Sequence, residues 1–386
     1  MLEKAIKGSK TYWLWVLALL AVIAVGFMFY MRQLDFGLGI TGMSRDVSWG
    51  FYIDQFTFLV GVAAGGVMVA IPHYLHDYKA FGKITVLAEF LAVSAVMMCM
   101  FFIVVDLGQP MRLLNVLLHP TPHSMLFWDM IVLSGYLFLN IVIGWNVLDA
   151  ERNSVPPPQW VKPLIYLSIP WAISIHTVTA FLYCGLPGRT AWLTAILAPK
   201  FLAGAFAAGP AFLILLCLVV RKFTNFKIGQ AQIQALAKIV CYAAITDLFF
   251  FLCEVFVAIY SQIPEHLEHL EYLFFGLHGH GALVPFMWLS ILLIVSGILL
   301  LLIPSARENE SVLAVACVAV FMGIWLDKGL GMIAGGFIPN PLNEITEYVP
   351  TMPEVMITIG IYASGLLILT ILYKVVIGVK EELAGT

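Results

Sequence analysis

Apolar residues run through this chain in long, nearly uninterrupted blocks, not in the alternating or two-sided patterns of a soluble fold. Ten such blocks stand near residues 12–31, 51–75, 84–107, 125–148, 163–184, 201–220, 239–262, 281–303, 312–335 and 355–376. Each is about 20 residues long, the length a helix rising 1.5 Å per residue needs to cross a bilayer core. Lipid offers no partner to backbone amides and carbonyls, so blocks of this kind fold as helices. The pattern predicts an all-α polytopic membrane protein with ten transmembrane helices. The first block has no small-residue cleavage pattern behind it and reads as a retained span.

The polar connections between blocks are asymmetric. Lys4, Lys7, Lys10, Lys79, Lys83, Arg152, Lys162, Arg221, Lys222, Lys227, Lys238, Arg307, Lys374 and Lys380 fall on one side, fourteen in all. Arg32, Arg45, Arg112, Arg189 and Lys200, five in all, fall on the other, and Lys328 lies within a block. Cytoplasmic loops collect Lys and Arg. Both termini are therefore expected in the cytoplasm, with the chain in the cytoplasmic (inner) membrane. The outer loops, such as IPEHLEHLEYLFFGLHGH and FIPNPLNEITEYVPTMPE, are longer and carry aromatics, prolines and acids. They point to a partner-docking surface on that face. The proline run Pro156-Pro157-Pro158 is a hinge between spans, not a boundary between soluble domains.

Composition sharpens this. Apolar residues make up 61% of the 386 and charged residues only 11%, against about a quarter charged in soluble proteins. No basic tract suggests a nucleic-acid partner. The six cysteines, Cys99, Cys184, Cys217, Cys241, Cys253 and Cys317, all fall in predicted helices and form no C-x-x-C or C-x-x-C-H. The chain is therefore expected to bind no haem or iron–sulfur cluster of its own. The outer histidines His266, His269, His278 and His280 do not make a closed zinc pattern, so no metal site is expected.

The informative residues are the polar ones inside the blocks, since a charge at the bilayer centre costs about 2.5–3.5 kcal/mol on insertion scales. His176 and Asp129 sit on neighbouring spans toward the outer face. Tyr52, Asp54 and Gln55 sit at the outer end of the second span. A histidine and a carboxylate in an aromatic-lined pocket are what a quinone headgroup needs, namely a donor, a proton route and apolar walls. Equally, His176 and Asp129 would serve by pairing to fix helix register. Glu89, Asp247, Glu254 and Asp327 are staggered through the depth of the membrane. Asp247 and Glu254, seven residues apart, share a helix face. These acids suit a proton path or, alternatively, hydrogen-bonded contacts that lock helices together. Lys328 follows Asp327 by about 100° around the helix, so each requires a partner on another span.

Several segments carry a resemblance. IHTVTAF, LPGR and the small-residue run APKFLAGAFAAGPA, with DLGQPMR at 106–112, SMLFWDM at 124–130 and WGFY leading into FLVGVAAGG, resemble the NrfD/PsrC-like family, the membrane subunits of polysulfide and nitrite reductase complexes. Within it the chain looks most like the DsrP/HmcC type.

That resemblance implies two adjacent four-helix bundles, 51–184 and 201–335, flanked by helices 12–31 and 355–376. It places a menaquinone or menaquinol site at the outer end of the first bundle, with His176 and Asp129 as catalytic groups and Tyr52, Asp54, Gln55 and Arg189 around them. It implies the quinol oxidoreductase subunit of a multi-subunit respiratory complex, not an enzyme acting alone. Its expected partners are a ferredoxin-like iron–sulfur subunit on the outer face and multihaem cytochrome c and cytochrome b subunits. The competing expectation is a proton- or cation-coupled transporter without quinone chemistry. That class more often shows short, broken helices in matching halves.

Overall fold

A computed structural model describes residues 1–386 apart from Leu2, Asp77, Lys227 and Thr386, with Ala384 and Gly385 described by their backbone alone. Lys227, one of the fourteen cations expected on the cytoplasmic side, thus lies outside the described residues. The protein is all-helical, with no β-strand among the described residues. Among the described residues ten helices are long and apolar enough to span a membrane, and together they make a multi-pass membrane protein.

In chain order the helices are α1 (Lys10–Phe36), α2 (Phe51–Ala64, continuing as Val67–Tyr74), α3 (Gly82–Asp106), α4 (Met125–Arg152), α5 (Val161–Cys184), α6 (Leu197–Phe223) and α7 (Gln230–Ser261). A short amphipathic α8 (Pro264–Phe274) precedes α9 (Val284–Leu302), α10 (Glu310–Trp325) and α11 (Met352–Gly385). Helices α7 and α11 overrun the apolar blocks by about two turns each. Hydropathy marks only the stretch within lipid, and polar turns such as Gln230–Lys238 continue the helix beyond it.

Packing follows chain order. Helix α2 lies against α3 and α6, α3 against α4, and α4 against α5. Helix α6 contacts α7 and α10, α9 packs on α10, and α11 lies along α1 and α3. Two crossings need glycine. A Cβ on Gly65 would stand 2.5 Å from Gly209 Cα, and one on Gly26 2.7 Å from Gly360 Cα. The first explains the small residues of α6: they admit α2 to backbone contact. Gly65 and Gly66 also interrupt α2 at this crossing.

Helix α10 does not end at Trp325 but widens into a π-helical segment, Leu326–Ala334. Such insertions are rare and concentrate at functional sites. Here the wider turn buries Asp327 and Lys328 together, although they are sequence neighbours.

The end of the molecule opposite the termini is closed by a polar knot and an aromatic lid. Glu354 Oε1 accepts from Tyr348 Oη at 2.6 Å, and Oε2 from the Gly42 and Thr351 amides at 2.7 and 2.8 Å. Trp49 stacks on Trp192, whose indole donates to the Met332 carbonyl at 2.8 Å.

Candidate functional site

The polar groups expected to act together fall into three places. The first is a pocket of about 450 Å³ between the ends of α3 and α4 that lie opposite the termini, roofed by the loop that follows Asp106. Met100, Ile103, Leu126 and Leu133 line its walls, and Gln109 and Arg112 stand at its rim. Asp129 lines the same pocket and is itself buried. In the roof, Met111, Leu114, Leu117 and Leu118 are exposed and apolar, so the mouth faces lipid rather than water.

Helix α5 holds Asp129 in place. Thr179 Oγ1 lies 2.6 Å from Asp129 Oδ1 and 2.7 Å from the Ile175 carbonyl, one turn back on its own helix. A single hydroxyl proton serves only one of these acceptors at full strength. Thr179 thus orients the carboxyl at the end of an apolar pocket, as a donor shared between Asp129 and its own helix.

His176 belongs to the second place, the interface of α2, α5 and α6. It makes no hydrogen bond to Asp129; its Nδ1 has no partner, and its ring sits edge-on to Phe201. A Cβ at Gly61 would lie 3.6 Å from its Nε2. Three residues along α5, it shares a face with Thr179 and lies about 4.5 Å deeper. Both Asp54 oxygens and Gln55 Nε2 are also buried without partners.

The remaining candidates around Asp129 are engaged elsewhere. Tyr52 donates to Gln33 Oε1 at 2.7 Å, and Gln33 in turn donates to the Val105 carbonyl. Gln55 Oε1 accepts from Trp325 and Tyr362 at 2.8 and 2.7 Å. Arg189 donates to the Phe337 and Asp46 carbonyls at 3.2 and 3.1 Å and lies over the Phe337 ring. Of the six residues expected around the headgroup, only Asp129 lines the lipid-facing pocket.

The third place is a buried charge cluster among α6, α7 and the π-helical segment. Lys200 Nζ lies 2.7 Å from Glu254 Oε2 and 3.6 Å from Asp327 Oδ2. Lys328 donates to the Phe201 carbonyl at 2.6 Å. A Cβ at Gly204 would meet Lys328 Nζ at 2.6 Å and Asp247 Oδ1 at 2.8 Å, so glycine lets both approach α6. Asp327 and Lys328 each find partners on another span, as their angular separation requires. Lys200, expected in an outer loop, is a correction: it lies inside α6 and is buried, because two carboxylates reach it from α7 and α10. The cluster floors a second cavity of about 220 Å³, walled by Trp192, Phe251 and Leu273 and reached past His266 and His269. The His269 Nδ1 lies 3.1 Å from the Ile338 carbonyl, and burial pushes this imidazole down to about 4. Glu89 stands apart, beside Tyr74 Oη at 3.3 Å, with Oε2 unpartnered.

Thr179, Lys200 and Gln109 were not singled out for these roles from the sequence, whereas Arg112 was expected at the rim. Thr179 carries a legible signal, lying three residues after His176 on the same face. Lys200 had one in its position ahead of a run of small residues. Among the described residues, no group of three or more His, Cys, Asp or Glu side chains is placed to hold a metal ion.

This architecture defines a polytopic helical membrane protein with a lipid-facing pocket and a separate buried ion cluster. The sequence profile of the family described as "Polysulphide reductase, NrfD" matches residues 39–339, and the chain belongs to that family. It is 27% identical to a putative dimethyl sulfoxide reductase membrane subunit of Halobacterium salinarum, over 92% of this chain and 88% of that protein. The Hdr-like menaquinol oxidoreductase integral membrane subunit of Archaeoglobus fulgidus is 24% identical over 61% of this chain and 58% of its own length. The menaquinone reductase integral membrane subunit of Nitratidesulfovibrio vulgaris is 20% identical over 94% and 91%.

Proposed function

We propose that the chain is the quinone-reactive membrane subunit of a respiratory oxidoreductase complex, exchanging electrons between menaquinol or menaquinone and an iron–sulfur partner. The observation that carries this is Asp129, a buried carboxyl held by Thr179 at the end of a lipid-facing apolar pocket. Two relatives whose names specify menaquinol or menaquinone support the quinone class. The volume, about 450 Å³, falls in the range of small-molecule sites. The mouth suits a substrate that arrives through the bilayer.

When bound, the quinol supplies two electrons and two protons. Asp129 takes the two ring-hydroxyl protons in turn, handing on the first before it accepts the second, and Gln109 and Arg112 orient the headgroup from the rim. The apolar walls exclude water from the pocket. His176 lies one step deeper on the same face of α5 and passes the proton toward the Asp247–Lys328 and Asp327–Lys200–Glu254 groups. Glu89 forms a separate station near the end of the molecule that bears the termini. The cation bias, fourteen against four once the buried Lys200 is set aside, supports a reading with both termini in the cytoplasm and the chain in the inner membrane. The electrons then leave to a ferredoxin-like iron–sulfur subunit docked on the outer face, with multihaem cytochrome c and cytochrome b subunits in the same complex.

The buried cluster by itself favours a second reading, a proton- or cation-coupled transporter without quinone chemistry. Quinol-dependent reduction of the intact complex separates the two. Under the quinone reading, Asp129→Asn abolishes that reduction while the complex still assembles. Under the transporter reading, Asp129→Asn leaves any redox activity alone, and only Asp247 and Glu254 variants alter cation movement.

A further inference from the structure

The end of the molecule that bears the termini is rich in cations, and three of them are paired with carboxylates across helices. Lys4 pairs with Glu382, Lys380 with Glu151 at 2.8 Å, and Arg221 with Glu310 at 3.0 Å. Lys222 and Lys374 are different. Both line one hollow of about 390 Å³ between the last turn of α6 and the final turns of α11, and neither is paired with a carboxylate among the described residues.

The hollow is built from both helices. Lys374, Gly378 and Glu381 follow one face of α11 at spacings of four and three residues. Thr224 and Asn225 close the other side just after α6 ends. Its one acid, Glu381, is drawn back by the Asn225 amide at 3.1 Å. Lys374 rests over the Tyr12 ring, 5.4 Å from its centre, which fixes its stem. Beside the hollow, Phe223 is 76% exposed at the end of a membrane-spanning helix. An exposed aromatic there marks the level of the lipid headgroups.

We propose that this hollow binds the phosphate headgroup of an anionic phospholipid, of the phosphatidylglycerol or diphosphatidylglycerol class. Two ammonium groups without a carboxylate partner among the described residues supply the charge for a phosphodiester, and the Asn225 side chain supplies polar contact for a glycerol hydroxyl; the Thr224 hydroxyl is engaged by the Val220 carbonyl and the Phe226 amide. Phe223 and Ile377 flank the start of the acyl chains. Basic pockets between transmembrane helices at the headgroup level are suited to such lipids, at roughly 1 kcal/mol per cation near the surface. The bound lipid would join α1, α6 and α11, linking the flanking helices to the helix that carries the buried cluster.

The test uses the full chain in mild detergent, delipidated and titrated while bound lipid is read by native mass spectrometry. The probes are diphosphatidylglycerol, phosphatidylglycerol, phosphatidylcholine and inorganic phosphate. The two anionic lipids should bind most tightly. Lys222→Gln with Lys374→Gln should weaken them roughly 30-fold, about tenfold for each 1.4 kcal/mol. The corresponding double arginine variant should retain binding, and Lys162→Gln, an exposed cation elsewhere on the same face, should change nothing. Equal affinity in the double glutamine variant, or an equal loss in Lys162→Gln, would overturn the site. Competition by inorganic phosphate at the same concentration as lipid would make it a soluble-phosphate site and overturn the lipid assignment.

Discussion

Thr179 holds the Asp129 carboxyl at 2.6 Å while its own hydroxyl is also spent on the Ile175 carbonyl. Two spans thereby fix one acid at the blind end of a pocket that opens to lipid. A carboxyl so placed has the fixed position required of a general base.

Substituting Asp129 should therefore act on the chemical step. Asp129→Asn keeps the shape but cannot take a proton, and should lower quinol-dependent reduction of the complex by about 10²–10⁴-fold. Thr179→Val leaves the carboxyl but frees its orientation, and should cost about tenfold, one hydrogen bond's worth. His176→Ala should leave quinol affinity unchanged and slow proton-linked turnover, since His176 is not bonded to Asp129. Steady-state kinetics with KM and kcat resolved, on complexes checked for assembly, reads all three. Near-normal rates in Asp129→Asn would remove it from the chemistry.

The Lys200 ion group should be fragile to single changes and tolerant of paired ones. Lys200→Met leaves Glu254 and Asp327 without their cation at the floor of the cavity and should destabilise by about 1–3 kcal/mol, less than for a fully buried pair because Glu254 is partly accessible. Adding Glu254→Gln removes one of the stranded charges and should recover part of the loss. Thermal unfolding in detergent gives the comparison. A double variant as unstable as the sum of the singles would show that the residues do not act as a unit.

The backbone contact between α2 and α6 makes an equally sharp expectation. Gly65→Ala places a methyl against Gly209 Cα, where neither backbone can yield without moving its helix. A loss of about 1–3 kcal/mol is expected, as for other overpacked interiors. Gly39→Ala, where nothing lies within 4 Å of the added Cβ, is the control. Equal stability of the two variants would mean that the two helices can part at little cost.

Ten spans could be read from the sequence because lipid demands long apolar runs, and that demand leaves an unambiguous trace. Partnership inside the membrane leaves less. His176 and Asp129 look like a pair because they sit at similar depth on neighbouring spans. Depth does not report azimuth, however, and the two side chains serve different interfaces. Lys200 reads as a loop residue because hydropathy alone ends the apolar block there. Its burial depends on carboxylates 54 and 127 residues away in sequence, which no local pattern registers. The π-helical turn that buries Asp327 and Lys328 together is likewise invisible to a 3.6-residue period.

The loop over residues 277–282 should loosen in acid. Glu347 accepts from the Ala282 amide at 2.8 Å and faces His280 at 3.4 Å. Burial works against its charge, but the Ala282 amide and His280 outweigh it and hold the carboxyl below the usual glutamate value. A depressed carboxyl contributes order above its unfolded pKa of about 4.3 and loses it as pH falls through the lower folded value. Ala282 amide exchange, corrected for intrinsic rate, should accelerate as pH falls below about 4. Glu347→Gln should show weaker protection with no such transition. A transition centred near neutrality would assign the loop to another group.

The central claim is that quinone chemistry takes place beside Asp129 and not beside His176. Photolabelling of the intact complex with a reactive menaquinone analogue, followed by peptide mapping, tests it most directly. The account predicts label within residues 100–134, competed by excess menaquinol and reduced in Asp129→Asn. Competable label confined to residues 171–209, with 100–134 unmodified, would contradict it.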